Sequence, residues 1–370
     1  MKYFIVAGEA SGDLHASNLM QGLKQKDTNA QFMFFGGDLM LEQGGELVKH
    51  YKDMAFMGFV EVLQNLRQVS KNLKLCKRTI RAFNPDVVIL VDYPGFNLRI
   101  AKYAKALGFK VIYYIAPKVW AWKESRVKQL RKYVDKLIMI FPFEQEYFKR
   151  KGVDAVYLGN PLVDTIQEIA DDGKFIERHA LEQKPIISLL AGSRKQEIKH
   201  NLPVMLTLVD KFPQYQFVIA GAPSLRIDDY KRHMGKANVS IVFNQTQNLL
   251  RHSTVSVVTS GTATLEAALY NTPEVVCYKG STISMLIAWL VVRIKYISLV
   301  NLIMDKEVVK ELIQFKLNPE SLYSEVSGLL PGEQHRNEML SDFQKLRNML
   351  GESDVSIRVA EFIVGFINQN

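Results

Sequence analysis

Short apolar runs recur along this chain, each closed by small, polar or glycine residues and followed by apolar positions at helical spacing. Tyr3–Ala7 is the first. Gly8-Glu9-Ala10-Ser11-Gly12-Asp13 closes it, and Leu14, Leu19, Met20 and Leu23 continue at a helical period. Phe32–Phe35 ends in Gly36-Gly37. Asp86–Val91 is near-continuously apolar, as a strand covered on both faces at the centre of a parallel sheet must be. Val111–Ile115 and Leu137–Phe141 follow. Beyond Asn160-Pro161 the series restarts with Ile186–Leu190, Gln216–Ala220, a short strand near 239–243, and Thr254–Thr259. Repeated β–turn–α units predict an α/β protein of two successive Rossmann-like halves, each a parallel sheet with helices on both faces and ligands at the carboxyl ends of its strands. Asn160-Pro161 reads as the crossover between domains 1–164 and 165–345, and Val355–Phe366 as a closing amphipathic helix.

Two stretches depart from this rhythm. Met54–Leu63 is unusually apolar for a turn and leads into a long helix ending at Phe83. Val62, Leu66, Val69, Leu73, Cys76, Ile80 and Phe83 form its apolar stripe, and Arg67, Lys71, Lys74, Lys77, Arg78 and Arg81 lie largely off it. Such a helix is commonly a core helix with a solvated face; with the apolar turn before it, the pattern also suits docking on an anionic membrane or an entrance for an acyl chain. Ile283–Val292 is strongly apolar but too short to span a bilayer, so a buried or interfacial helix is expected.

Charge sharpens the division into halves. The net charge of +9 sits in residues 1–164, with 25 Lys/Arg against 16 Asp/Glu, whereas residues 165–370 carry 22 of each. The first half is therefore expected to meet something anionic: a membrane, a phosphorylated substrate or nucleic acid. Cys76 and Cys277 are the only cysteines, which argues against a disulfide framework or cysteine metal site and fits a reducing compartment. The apolar N-terminus runs straight into a glycine turn, as a first strand rather than a signal peptide. Neither half has a G-x-G-x-x-G or a G-x-x-x-x-G-K-[ST] motif, which weakens dehydrogenase and ATPase readings.

Candidate chemistry gathers at the strand ends. After Thr254–Thr259, Ser260, Gly261 and Thr262 open a helix whose free N–H groups favour phosphate, and Glu266 follows where a carboxylate can accept from a ribose; an unliganded capped helix is the alternative. Gly192-Ser193-Arg194 follows Ile186–Leu190, and the Arg194 guanidinium suits a diphosphate. Glu9, Ser11 and Asp13 supply polar groups after the first strand, where Ser11 and Asp13 would equally serve as caps. Asp92, at the end of a buried strand before Pro94-Gly95, is placed for a general base of raised pKa or for simple bonding to loop amides. Trp120 and Trp122, interleaved with Lys118, Lys123 and Arg126, would clamp a sugar, meet lipid, or seal a gap between helices.

In their order and separations, several of these segments resemble the lipid-A-disaccharide synthase family, glycosyltransferase family nineteen, over nearly the whole chain. The segments are AGEASGD (Ala7–Asp13), MGFVEVL (Met57–Leu63), Pro85-Asp86 with DYPGFN (Asp92–Asn97), Trp120-Ala121-Trp122, Pro142-Phe143-Glu144, LLAGSRKQEI (Leu189–Ile198), SGTATLE (Ser260–Glu266) and Tyr296–Asn301 leading to Gln314. The resemblance implies a GT-B fold, two Rossmann-like domains facing across a cleft, with residues 346–370 packing back on the first. It implies an inverting transfer from UDP-2,3-diacylglucosamine to 2,3-diacylglucosamine 1-phosphate, giving a β-1,6-linked disaccharide and UDP, at the cytoplasmic face of the inner membrane and without metal or cofactor. Asp92 would be the base. Gly192, Ser193, Arg194, Ser260, Gly261, Thr262, Glu266, Asn301 and Gln314 would serve the donor, and Glu9, Ser11, Asp13 and Asn97 the acceptor. Met54, Phe56, Met57, Phe59 and Val60 would touch membrane or acyl chain. Gly95 stands where many relatives have a second Asp, Asn160 where they have His, and Val300 where they have Pro; Leu302-Ile303-Met304-Asp305 replaces Leu-Leu-Ala-Gly. The alternatives are a UDP-GlcNAc 2-epimerase, the GlcNAc transferase of peptidoglycan precursors and, from another class, a basic nucleic-acid-binding protein; oligomeric state stays open.

Overall fold

The computed structural model describes residues 1–54, 66–168, 173–280 and 294–369. It divides into two compact units, Met1–Asp164 with Glu352–Asn370, and Thr165–Gly351. The return to the first unit thus begins at Glu352, because helix Gln334–Leu350 buries Met339, Phe343 and Leu346 in the second.

The first unit is a seven-stranded parallel sheet of β1 (Lys2–Ala7), β2 (Gln31–Gly36), β3 (Glu46–His50), β4 (Val87–Val91), β5 (Lys110–Tyr114), β6 (Lys136–Met139) and β7 (Ala155–Tyr157), in the order β3-β2-β1-β4-β5-β6-β7. The central strand β4, Val-Val-Ile-Leu-Val, is buried at every position, since helices cover both faces. Alternation along it feeds two cores. Val88 and Leu90 join Cys76, Ile80 and Phe96, whereas Val87, Ile89 and Val91 join Leu19, Leu23, Val355 and Val359. The last two belong to helix Val355–Asn368, which packs on helix Ala10–Lys26. Its first amides, Val355 and Ser356, each donate to the Asp164 carboxylate at 3.0 Å.

The second unit is a six-stranded parallel sheet of β8 (Ile186–Leu190), β9 (Gln216–Gly221), β10 (Ser240–Phe243), β11 (Ser253–Thr259), β12 (Glu274–Tyr278) and β13 (Lys310–Ile313), in the order β10-β9-β8-β11-β12-β13. Strands β3, β7, β12 and β13 lie outside those the pattern predicts. The first and last are short edge strands of mixed polarity, and β12 opens with the fully buried Glu274, where an apolar residue would have signalled a core strand.

In each sheet the chain runs outward on one side and then crosses to the other. The reversals fall between β1 and β4 and between β8 and β11. The crevice outside the carboxyl ends of two such strands is where open α/β sheets bind ligands. Of the expected membrane segment, Phe56, Met57, Phe59 and Val60 lie outside the described residues, as does 283–292. Met54 is described and does not fit that role: it is 1% exposed and packs in the core with Phe35 and Phe96.

Candidate functional site

The first crevice is built on strained backbone. Asp92 (φ 42°) and Tyr93 (φ 47°) both adopt left-handed conformations, each costing about 1–3 kcal/mol for a residue with a side chain. Neighbours over-determine the turn. The Asp92 amide donates to the Tyr114 carbonyl at 3.0 Å, and the Asp92 carbonyl accepts from Asn97 Nδ2 at 2.8 Å and from the Tyr113 hydroxyl. Tyr93 stacks on Phe96 and donates to the Met54 carbonyl at 3.1 Å. Its ring fills the space beside Gly8, where a Cβ would meet it at 2.2 Å, so the β1 turn needs glycine there. Asn97 is consequently a positioning residue. It is fully buried and spends its amide on the Asp92 and Val91 carbonyls rather than on an acceptor, contrary to its expected place in the acceptor site.

The Asp92 side chain stays half-buried beside a cavity of about 210 Å³ whose walls include Pro94, Lys118, Trp122, Arg126 and Phe141. Burial, then the nearby Glu9 carboxylate, push its pKa up to about 6, against the opposing pull of Lys118, the Tyr93 amide and Arg126. A carboxyl so poised is ionised at neutral pH yet basic enough to take a proton. Ser11 is exposed on the first turn of helix Ala10–Lys26. Asp13, expected as an acceptor group, is instead a cap: it is 3% exposed and accepts from the amides of Gly37 (2.7 Å), Leu39 (3.1 Å) and Met40 (3.3 Å).

The structure also separates the two tryptophans. Trp120 Nε1 donates to Glu144 Oε1 at 2.8 Å, and Glu144 Oε2 accepts from the Phe141 amide. Glu144 is wholly buried, which raises its pKa to about 7, and it ties this loop to the end of β6. Trp120 is therefore a sealing residue. Trp122 is 45% exposed, lines the cavity and carries Lys123 and Arg126 at 4.3 and 5.5 Å from its ring centre. The sequence interleaves these cations with the tryptophans, and that spacing is the only local sign that they share a site.

The second crevice is lined by two helix starts. After β8, Gly192 (φ 115°) turns the chain, and a Cβ there would meet Glu197 Oε2 at 2.5 Å. Glu197 accepts from the Ser193 amide at 2.9 Å and from Arg194 Nη1 at 2.7 Å, leaving the guanidinium exposed at the start of helix Lys195–Met205. After β11, helix Thr262–Leu269 starts at Gly261 with no side-chain cap. Gly261 is extended (φ 166°), and the nearest atom to a Cβ there would be 3.9 Å away, so its backbone is open to close approach. The first amides of this helix have no intrahelical partner. Ser260 Oγ donates to the Ile297 carbonyl at 2.8 Å, fixing the loop, and Thr262 is exposed. Glu266, half-buried one turn on, has its pKa raised by burial. Adjacent helix N-termini with an arginine favour a diphosphate.

Asn301, expected as a donor contact, proves structural. It is fully buried, with Oδ1 accepting from the amides of Val308 (2.7 Å) and Val309 (3.0 Å), and Nδ2 donating to the Val309 carbonyl and to Glu311. Glu311, which sequence reasoning missed, also accepts from the Ile297 and Ser298 amides. Gln314 is half-buried at φ 54°, with Nε2 donating to the Gly280 carbonyl at 3.3 Å, so its side chain is tethered beside the end of β12. Among the described residues no group of His, Cys, Asp and Glu is arranged to hold a metal ion, and no helix is long and apolar enough to cross a membrane.

Comparison with known proteins adds to this geometry. Residues 3–361 match the family model described as lipid-A-disaccharide synthetase. The lipid-A-disaccharide synthase of Myxococcus xanthus is 36% identical over 371 residues, covering 98% of this chain and 97% of its own, and that of Syntrophus aciditrophicus is 35% identical, covering 99% and 98%. Among solved structures, the UDP-GlcNAc 2-epimerase of Neisseria meningitidis bound to UDP-GlcNAc aligns over 100% of both chains with a TM-score of 0.69 at 13% identity. The calicheamicin glycosyltransferase CalG4 aligns over 100% of this chain and 98% of its own, with a TM-score of 0.62 at 14% identity. These likenesses place the two Rossmann-like units in the GT-B fold class.

Proposed function

The chain belongs to the lipid-A-disaccharide synthetase family and is a glycosyltransferase of lipid A disaccharide synthesis; from that premise we propose that it joins UDP-2,3-diacylglucosamine to 2,3-diacylglucosamine 1-phosphate through a β-1,6 linkage, with inversion. The acceptor's 6-hydroxyl gives its proton to the Asp92 carboxylate as its oxygen attacks the anomeric carbon of the donor. The bond from that carbon to the UDP oxygen breaks, and its electron pair leaves on the diphosphate. Arg194 and the open amides at Gly261–Ala263 take up that charge, which is the work a metal does in other transferases. Glu266 receives the ribose hydroxyls, and the tether on Gln314 keeps the adjoining backbone in place. Glu9 and Ser11 border the acceptor. The observation that carries this reading is Asp92, a carboxylate lifted to about 6 at a cavity walled by the segments that follow β4, β5 and β6.

An anionic membrane is the proposed place of work, cytoplasmic and peripheral. Lys74, Arg78 and Arg81 on helix Leu66–Phe83 are exposed and, with Lys77 and Lys102, surround Tyr103 in shallow grooves. No ion pair joins these cations among the described residues, and each such charge near an anionic bilayer is worth about 1 kcal/mol. The deciding experiment measures UDP release from UDP-2,3-diacylglucosamine with and without 2,3-diacylglucosamine 1-phosphate. Release only with acceptor is expected. Conversion of unacylated UDP-GlcNAc at C2, with no acceptor-dependent release, would replace this reading with the epimerase.

A further inference from the structure

Lys118 and Arg126 line the cavity beside Asp92, and among the described residues neither forms an ion pair within 4.0 Å. Several other cations of this unit sit against carboxylates: Lys49 on Asp53 at 2.8 Å, Lys136 on Asp154 at 2.5 Å, Lys151 on Glu124 at 2.5 Å. Arg126 is half-buried, closes the short turn Glu124–Arg126 and lies against Trp122, where burial and the neighbouring Arg99 make its positive charge harder to hold. Both cations line the cavity and interact with the Asp92 carboxylate there, so two positive charges meet one negative charge at its wall, an arrangement that favours a further anionic group. The cavity, at about 210 Å³, is below the roughly 300 Å³ at which pockets begin to take drug-sized ligands. A cavity of this size matches one sugar ring with a phosphate.

We propose that Lys118 and Arg126 bind the phosphate monoester of the acceptor sugar while Trp122 covers its ring, so that this cavity selects a phosphorylated over a neutral acceptor. This rests on the transferase reading above. Arg126 offers a planar fork to two phosphate oxygens and Lys118 a mobile point charge. The assignment has a consequence for the base. These two cations hold the Asp92 carboxyl down, and a seated phosphate offsets them, so the acceptor strengthens the base that deprotonates it.

The test compares steady-state kinetics of the wild type, Lys118→Ala, Arg126→Gln and Arg126→Lys with the phosphorylated acceptor and its dephosphorylated counterpart. The expected result is a rise of about 10- to 100-fold in KM for the phosphorylated acceptor in Lys118→Ala and Arg126→Gln. Donor KM should stay near wild type, the KM for the dephosphorylated acceptor should rise far less than that for the phosphorylated one, and Arg126→Lys should recover part of the loss. Inorganic phosphate should compete with the acceptor in the wild type and not in the variants. Equal losses with both acceptors, at unchanged melting temperature, would overturn the phosphate assignment while leaving the transferase reading intact. A wild type that releases no UDP with either acceptor would remove the reading beneath it.

Discussion

At the crevice of β1 and β4 a carboxylate stands in left-handed backbone, with a second carboxylate and two cations around it; at the crevice of β8 and β11 stand two helix starts and an arginine on open backbone. The topology is shared and the chemistry is not. Both crevices hold a carboxyl whose pKa burial raises, Asp92 and Glu266, but only Asp92 has neighbouring charges that tune it. A fold of this kind supplies the place, and the residues just past the strand ends decide between proton transfer and anion binding.

Substituting the base should separate the two crevices most sharply. Asp92→Asn is expected to lower kcat about 100- to 10,000-fold while leaving UDP affinity, measured by calorimetry, within about twofold. Loss of UDP binding in that variant would mean that Asp92 serves the donor. In the second unit, Asn301→Ala should unfold the protein more easily, by about 2–4 kcal/mol, because it orphans the buried amides of Val308 and Val309. A donor role in place of this structural one would show as a raised donor KM at unchanged denaturation midpoint. Arg194→Ala should raise the donor KM about 10-fold and leave acceptor KM unmoved.

The pH profile sharpens the comparison further. With the Asp92 carboxyl at about 6, kcat/KM should climb as pH rises through about 6 and flatten above 7. A limb near 4 would point to an unperturbed carboxylate. The smallest expected effect concerns Glu274, whose two carboxyl oxygens are buried without partners and whose pKa burial pushes well above the usual carboxylate range. A folded-state pKa above the unfolded one gives stability that is present below the unfolded value and lost as pH rises toward the folded one. Glu274→Met should therefore stabilise the protein by about 1–3 kcal/mol at pH 8 and by less at pH 5, as urea denaturation would read.

The comparison also explains how much was legible in the chain. Strand β4 and the glycine turns after β1, β8 and β11 were readable, because an apolar run of strand length and a glycine before helical spacing are local signals. Asp92 was readable as a candidate because its position at a strand end is local too. Asp13, Asn97 and Asn301 were not separable from ligand-binding residues, since a buried cap and a substrate contact use the same side chains in the same sequence context. What tells them apart is whether backbone groups already occupy the side chain: the Gly37 amide on Asp13, the Val308 amide on Asn301, and the Val91 and Asp92 carbonyls on Asn97 Nδ2. Trp120 and Trp122, two residues apart, likewise part company only through Glu144.

The sequence by itself therefore determined the α/β class, the two successive halves, the strand ends that carry chemistry and the basic first half, all of which follow from local periodicity, turn residues and charge. The tertiary structure decided which polar groups are free. It partly buried Asp92 and placed it beside Glu9, Lys118 and Arg126, which together set its proton affinity, and it buried Asp13 and Asn301 under bonds from segments 24 and 7 residues away. Burial and long-range hydrogen bonding depend on packing between elements, and no local pattern encodes them.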